Sequence, residues 1–273
     1  MNYKFSVIIP IIILILSLGF LFWKITTTGL LLDIDLRGGN QIILESTGEI
    51  NEKTIENVLE DYGVNIRTAE GITKKTIFIE FDASIEPDII LEKLENAGYE
   101  FDAYSVQTVG PTLGAAFFQQ AITVLVIAFI FMAITIFLIF RTPIISFYIS
   151  LSPFFDIIET LAITQLLGLK LSLASFAALL MIIGYSVDDD VMITTRVVRG
   201  TGDIKKRLRN SLKTSATTTI ATIVALASLY ILSLSPIITQ IASVLLIGLL
   251  VDFQNTWLFN VPILRWYEGR KKK

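Results

Sequence analysis

The sequence predicts a polytopic α-helical membrane protein with six transmembrane helices in a 1+5 arrangement and a small α+β domain between helices 1 and 2. Three observations predict it. The composition is 53% hydrophobic with a mean hydropathy of +0.69, too apolar for an ordinary soluble domain. Several runs reach the roughly 20 apolar residues that a bilayer-spanning helix needs. One stretch, 30–108, is charged and built of short elements, and it cannot span a membrane.

The first helix is FSVIIPIIILILSLGFLFW, 5–23, uncharged between Lys4 and Lys24. Its apolar core is too long for a signal peptide, and no A-x-A-like site follows. Pro10 lies near its start, where it is tolerated. Next, LRGGNQIILES (36–46) alternates like a strand. INEKTIENVLEDYG (50–63) has helical spacing, with Gly63 as C-cap. VNIRTAEG and TIFIEFDA read as strands with a turn near Gly71. SIEPDIILEKLENAG (84–98) is an amphipathic helix, opened near Ser84 and Pro87 and closed by Gly98. YEFDAYSVQTV (99–109) is the last strand. The order β-α-β-β-α-β is the ferredoxin-like arrangement.

Five apolar segments follow, at 114–140, 143–168, 171–198, 214–235 and 236–264. The chain therefore divides into a first transmembrane helix (1–29), a ferredoxin-like domain (30–110) and a five-helix transmembrane domain with a basic loop and tail (111–273). Arg141, the loop holding Arg196, Arg199, Lys205, Lys206, Arg207, Arg209 and Lys213, and the RKKK end fall on one side, expected to be cytoplasmic. Both termini then lie inside, and residues 30–110 are extracytoplasmic. That the stretch 30–108 carries seventeen acidic and six basic residues agrees with an exposed, soluble domain.

Function classes narrow quickly. Cysteine and histidine are both absent, so there is no disulfide, thiolate metal site or imidazole proton carrier. Gly38 and Gly39 suggest a close backbone approach but are too short for a phosphate loop. No cofactor, metal or nucleic-acid partner is expected, and a hydrolase is disfavoured.

The charged groups inside apolar segments are the candidate site. A carboxylate at a helix centre costs about 2.5–3.5 kcal/mol on insertion scales. Asp188, Asp189 and Asp190 lie in the fourth helix, fanned over half its circumference at ~100° per residue. Two readings stand. In one, the three sit at the cytoplasmic interface and pair with Arg196 or Arg199. In the other they join Asp156, Glu159 and Asp252, from neighbouring helices, in an ion path. Asp156 and Asp252 also suit hydrogen bonds that pack helices. In the fifth helix Thr214, Thr218, Ala221, Ala225 and Ser228 form a small face suited to close packing.

Four separated motifs coincide: DIDLRGG (33–39), VGPTLG (109–114), GYSVDDDVMITTRV (184–197) and VDFQNTW (251–257). Together they resemble the SecD/SecF family of protein-export membrane proteins, in particular its SecF branch and its archaeal members. The resemblance picks out Asp35, Gly38, Gly39, Gly110, Pro111, Gly114, Gly184, Tyr185, Ser186 and Arg196 as family-motif positions. It implies a fold of the resistance-nodulation-division (RND) type, with SecD supplying a pseudo-symmetric second half. It implies a place at the Sec translocon, in membrane lipid, promoting preprotein translocation with a proton or sodium gradient. Protonation of a carboxylate would then change helix packing and tilt the outer domain.

The resemblance is uneven. The bacterial pattern Y-S-x-N-D-T places the coupling acid on Asp189, and the archaeal Y-S-V-D-T-D places acids at Asp188 and Asp190; this chain has all three. The bacterial aspartate next to the arginine is Thr195 here, and Arg209 or Lys213 is nearest to the bacterial arginine at the start of helix five. DIDLRGG is closer to the SecD form, which keeps a SecD-like reading open although the chain is short for it. A structural subunit that moves no ions and a small RND-type efflux transporter are the alternative functions.

Overall fold

The computed structural model describes residues 3–46, 52–70, 75–99, 101, 103–233 and 235–271. Helix α1, Tyr3–Thr27, is longer than the uncharged run. A linker then leads to Asp33, whose Oδ1 accepts from the Ile34 amide at 2.8 Å and opens a single helical turn, α2, Ile34–Arg37. The strand expected from Leu36 therefore begins only at Gly39: the cap holds Leu36 and Arg37 in the turn, and Gly38, at φ 81°, reverses the chain.

The small α/β region contains β1 (Gly39–Ser46), α3 (Glu52–Val58), β2 (Asn65–Glu70), β3 (Lys75–Phe81), α4 (Pro87–Asn96) and β4 (Ala103–Val109). The strands form one antiparallel sheet in the order β2-β3-β1-β4. Alternation sorts the two faces. Ile42, Leu44, Ile77, Ile79 and Phe81 pack under Ile55, Leu59, Ile90 and Leu94 of α3 and α4. Gln41, Arg67, Phe78 and Glu80 lie on the other face, towards the long helices. The last strand starts later than expected because Tyr99 and Phe101 stack on each other, 6.4 Å apart, and pack into this small core. The expected helix over 50–63 is Glu52–Val58 followed by a short 3-10 turn that ends at Gly63, φ 57°. The turn near Gly71 lies outside the described residues.

The long helices are α5 (Pro111–Phe140), α6 (Pro143–Leu166), α7 (Leu173–Val198), α8 (Ile204–Leu232) and α9 (Pro236–Asn255). A π-helical segment, Thr256–Asn260, continues α9 into α10, Val261–Lys271. Proline at the first helical position opens α5, α6 and α9, and a reciprocal Ser172–Ser175 cap opens α7. Among the described residues, five helical spans are long and apolar enough to cross a membrane: α1, α5, α6, α8 and the continuous helix from Ile237 to Arg270. The expected count was six. Helix α7 has the length, but Asp188–Asp190 and Arg196 remove it from this set. It is instead packed among α5, α6, α8 and α9.

Two family-motif stretches meet where α2 presses on the start of α5. A Cβ on Gly114 would lie 2.6 Å from the Gly38 amide nitrogen, and a Cβ on Gly38 would lie 2.6 Å from Pro111 Cα. Both neighbours are backbone and have nowhere to move. Gly114→Val is expected to cost about 1–3 kcal/mol or more from overpacking. It would appear as a lower thermal midpoint of the detergent-solubilised protein; an unchanged midpoint would show that α2 can lift away from α5 freely.

Candidate functional site

Three helices converge on a buried polar cluster. Helix α6 presents Ser152, Asp156, Glu159 and Thr160 from one face, at the three- and four-residue spacing that stacks side chains along a helix. Helix α7 contributes Ser186 and Asp190, also four apart. The last helix contributes Asp252, Asn255, Thr256 and Asn260. Asn255 and Asn260 are five residues apart, which in an α-helix turns them well away from each other. The π-helical segment between them restores a common side.

The hydrogen bonds are specific. Ser186 Oγ donates to Asp156 Oδ2 at 2.6 Å, and Asn255 Nδ2 donates to Asp156 Oδ1 at 2.8 Å and to Glu159 Oε2 at 3.2 Å. Asn260 Nδ2 donates to Asp190 Oδ1 at 2.5 Å and to Ser152 Oγ at 2.9 Å, with Thr256 Oγ1 at 3.4 Å from the same Asp190 oxygen. Asp252 lies against Asp156 and Ser186, with Asp190 close by. All four acids are buried, and none forms an ion pair with a lysine or arginine among the described residues. Several oxygens of the cluster have no donor among the described residues, including Glu159 Oε1, Asp190 Oδ2 and Asp252 Oδ1.

The aspartate triplet splits three ways, as its ~100° steps require. Asp190 enters the cluster. Asp189 is half-buried and its Oδ2 accepts from Ser215 Oγ at 2.7 Å and Thr219 Oγ1 at 3.1 Å, both on α8. Asp188 is exposed on one stripe of α7 with Met181, Gly184 and Tyr185. The interfacial pairing with arginine is not formed. Arg196 Nη1 donates to Thr214 Oγ1 at 3.0 Å, and Arg199 Nη2 donates to the Ile139 carbonyl at 2.6 Å. Arg209 and Lys213 face a groove with Trp257 and Arg265. The small face expected on α8 is also corrected: Thr218, Ala221, Ala225 and Ser228 are exposed, and the packed side runs through Ser211, Ser215 and Thr219.

Asp35, Gly38, Gly39, Gly110, Pro111 and Gly114 gather at the junction of sheet and α5, apart from the carboxylates. Burial, then the nearby Asp33 and Glu80 charges, push the Asp35 carboxyl above its ordinary range. Beside it lies a second network. Glu80 of β3 is fully buried; it is bonded to Arg67 and accepts from Lys170 Nζ at 2.6 Å, with Arg37 at 3.6 Å. Lys170 also donates to Asn65 Oδ1 at 2.8 Å. Lys170 belongs to the α6–α7 loop, two residues before the Ser172 cap. That loop is stitched to the linker after α1 by Asp33 N to Leu171 O at 2.7 Å and Leu171 N to Leu31 O at 2.8 Å. Gln240 of α9 holds the same loop through the Lys170 carbonyl at 2.6 Å and Ser172 Oγ at 2.8 Å.

Asn255, Asn260, Ser152 and the Glu80–Lys170 contact were not singled out from the sequence. The two asparagines left a signal: primary amides at the centre of an apolar run need partners there. The Glu80–Lys170 pair, ninety residues apart, left none.

Comparison with known proteins bears on the whole chain. The family described as "Protein export membrane protein SecD/SecF, C-terminal" matches residues 89–270. The chain is 34% identical over 277 residues to the protein-export membrane protein SecF of Pyrococcus furiosus, covering 100% of this chain and 93% of that protein. It is 36% identical over 285 residues to SecF of Methanocaldococcus jannaschii, covering 100% and 99%. Among solved structures, the crystal structure of SecDF from Thermus thrmophilus superposes with a TM-score of 0.77 at 20% identity, over 98% of this chain. The chain spans 38% of that SecDF chain.

Proposed function

Since the chain belongs to the SecD/SecF family of protein-export membrane proteins, we propose that it is a multi-pass SecF subunit that acts with SecD at the Sec translocon, promoting preprotein translocation with the ion-motive force. The family is one of transport accessory proteins. In this reading α7 is a sixth span, with Asp190 turned into the cluster and Asp189 to α8, which gives a 1+5 bundle of the RND type. The α/β region, with its ferredoxin-like strand order, stands outside the membrane over 30–110, between the first helix (1–29) and the five-helix domain (111–273). Both termini are cytoplasmic.

The carrying observation is the set of four buried carboxyl groups, Asp156, Glu159, Asp190 and Asp252, drawn from three helices and matched by no cationic side chain among the described residues. Uncompensated charge is costly in such a place, so protons or a small cation must balance it. Loading and unloading from opposite sides of the membrane then changes how α6, α7 and the last helix pack. Asp190 sits on α7, whose first turn follows Lys170, so a shift of α7 pulls on Glu80 and thereby on the outer sheet.

The test is export into sealed vesicles containing this protein and SecD, with and without an imposed ion gradient. Asp190→Asn and Asp156→Asn are expected to assemble normally and to lose the gradient-dependent part of export. Asp188→Asn should lose none of it, because its side chain is outside the cluster. If both cluster variants assemble and export like the wild type, ion coupling is wrong and the chain is a structural subunit.

A further inference from the structure

Helix α8 begins IKKRLRNSLKTSA, and Lys205, Arg209 and Lys213 recur every four residues along one side of it. This side faces Trp257 and Arg265 of the last helix across an open groove of about 590 Å³, with Leu212 and Ala216 along its wall. Among the described residues, four cations line the groove and no carboxylate does. None of the four is in an ion pair among the described residues. The acids nearest in sequence are committed elsewhere: Asp203 caps α8 through the Lys205 amide, and Glu268 is buried beside Tyr148.

Its level in the membrane follows from the same two helices. The apolar part of α8 starts at Thr214, directly after Lys213, and that of the last helix ends at Leu264, directly before Arg265. Lys213 and Arg265 therefore sit at the membrane–water boundary, with Arg209 and Lys205 about 6 and 12 Å further out along α8 at ~1.5 Å per residue. Trp257 lies eight residues deeper than Arg265, about 12 Å at ~1.5 Å per residue. The groove thus has a cationic mouth at headgroup level and an apolar floor at the level of the glycerol and upper acyl chains.

We propose that this groove is a binding site for one anionic phospholipid, the phosphate held at Lys213 and Arg265, the rest of the anionic headgroup reaching Arg209 and Lys205, and the acyl chains laid against Ala216 and Trp257. Converging like charges need a counter-anion, and anionic lipids gather where basic side chains meet the membrane surface. A free phosphate would fill the mouth and leave the apolar floor empty. The site rests on the proposed topology only for its leaflet, and it does not depend on ion coupling.

The chain has three tryptophans, Trp23, Trp257 and Trp266. Trp23→Phe with Trp266→Phe leaves Trp257 as the reporter. The protein, assembled with SecD whose own tryptophans are replaced by phenylalanine, is placed in phosphatidylcholine vesicles containing brominated phosphatidylglycerol or brominated phosphatidylcholine at equal mole fraction. The expected result is several-fold stronger quenching by the anionic lipid, and loss of that preference when all four cations are replaced by glutamine. Arg209→Gln alone should weaken it in part, and the headgroup comparison needs no variant at all. Equal quenching by the two lipids overturns the proposal. So does quenching by neither, which means a partner chain covers the groove, and so does reversal by inorganic phosphate, which means the mouth takes a soluble anion. A failure of export to respond to the gradient would leave this result untouched.

Discussion

A protein carrying Arg67→Met and Lys170→Met together is expected to lose about 3–5 kcal/mol of docking between the outer sheet and the membrane helices, the cost of stranding a buried carboxylate. The stranded group is Glu80, fully buried, left with only Arg37 at 3.6 Å. Either substitution alone should cost much less, because Arg67 or Lys170 still holds one carboxylate oxygen. The chain has no cysteine, so spin labels can be placed at exposed Glu95 on α4 and Leu232 at the end of α8 without a background. Their separation should be narrowly distributed in the wild type and in each single variant, and broad in the double variant. The undocked fraction across a urea series gives the free energy. A narrow distribution in the double variant would mean that the Leu31–Leu171 backbone bonds and the α2–α5 contact hold the sheet by themselves.

The second large effect is expected inside the membrane. Asn255 is the donor shared by Asp156 and Glu159, and it is fully buried. Asn255→Leu keeps the branched shape at a larger volume and removes that donor from two buried carboxyl groups at once. An unsatisfied buried polar group costs about 1–3 kcal/mol, so about 2–4 kcal/mol is expected here. Combining it with Glu159→Met should recover part of the loss, since an acceptor and its donor then leave together. Thermal unfolding of the four proteins in one detergent closes the cycle. Strict additivity would show that the 3.2 Å contact to Glu159 carries no energy.

What could be read from the sequence followed the strength of local signals. The alternation of Ile42 and Leu44 and of Ile77, Ile79 and Phe81 has a period of two over a full strand, and those strands form. Gly63 and Gly98 take positive φ where a helical turn ends, as glycines placed there should. Strands β1 and β4 start three and four residues later than alternation suggests, because one cap bond at Asp33 and one ring pair at Tyr99 and Phe101 override it there. For the site, the sequence offers Asp156, Glu159 and Asp252 as acids within long apolar segments, and the structure places these three side chains near one another. The division among Asp188, Asp189 and Asp190 was out of reach, because three consecutive residues look equivalent until the rotation of α7 against its neighbours is known. The same holds for α8, where rotation by one residue exchanged Thr214 and Thr218 for Ser215 and Thr219 as the packed side. The Lys170–Glu80 contact depends wholly on the docking of two separate folding units and leaves no periodic trace in either.

The π-helical segment at Thr256–Asn260 has a consequence for how this helix tolerates change. A π turn is an α-helix with one residue too many, and here the surplus residue turns Asn255 and Asn260 to a common side. The helix would be smoother without it. A one-residue deletion anywhere in TWLFN would therefore relieve local backbone geometry while swinging Asn260, Arg265 and the rest of the chain about a third of a turn. Substitutions in this stretch alter single contacts, but a change in its length alters the reading frame of the whole last helix. The segment acts as a molecular spacer, so a change in the number of its residues disturbs more contacts than a change in the identity of any one of them.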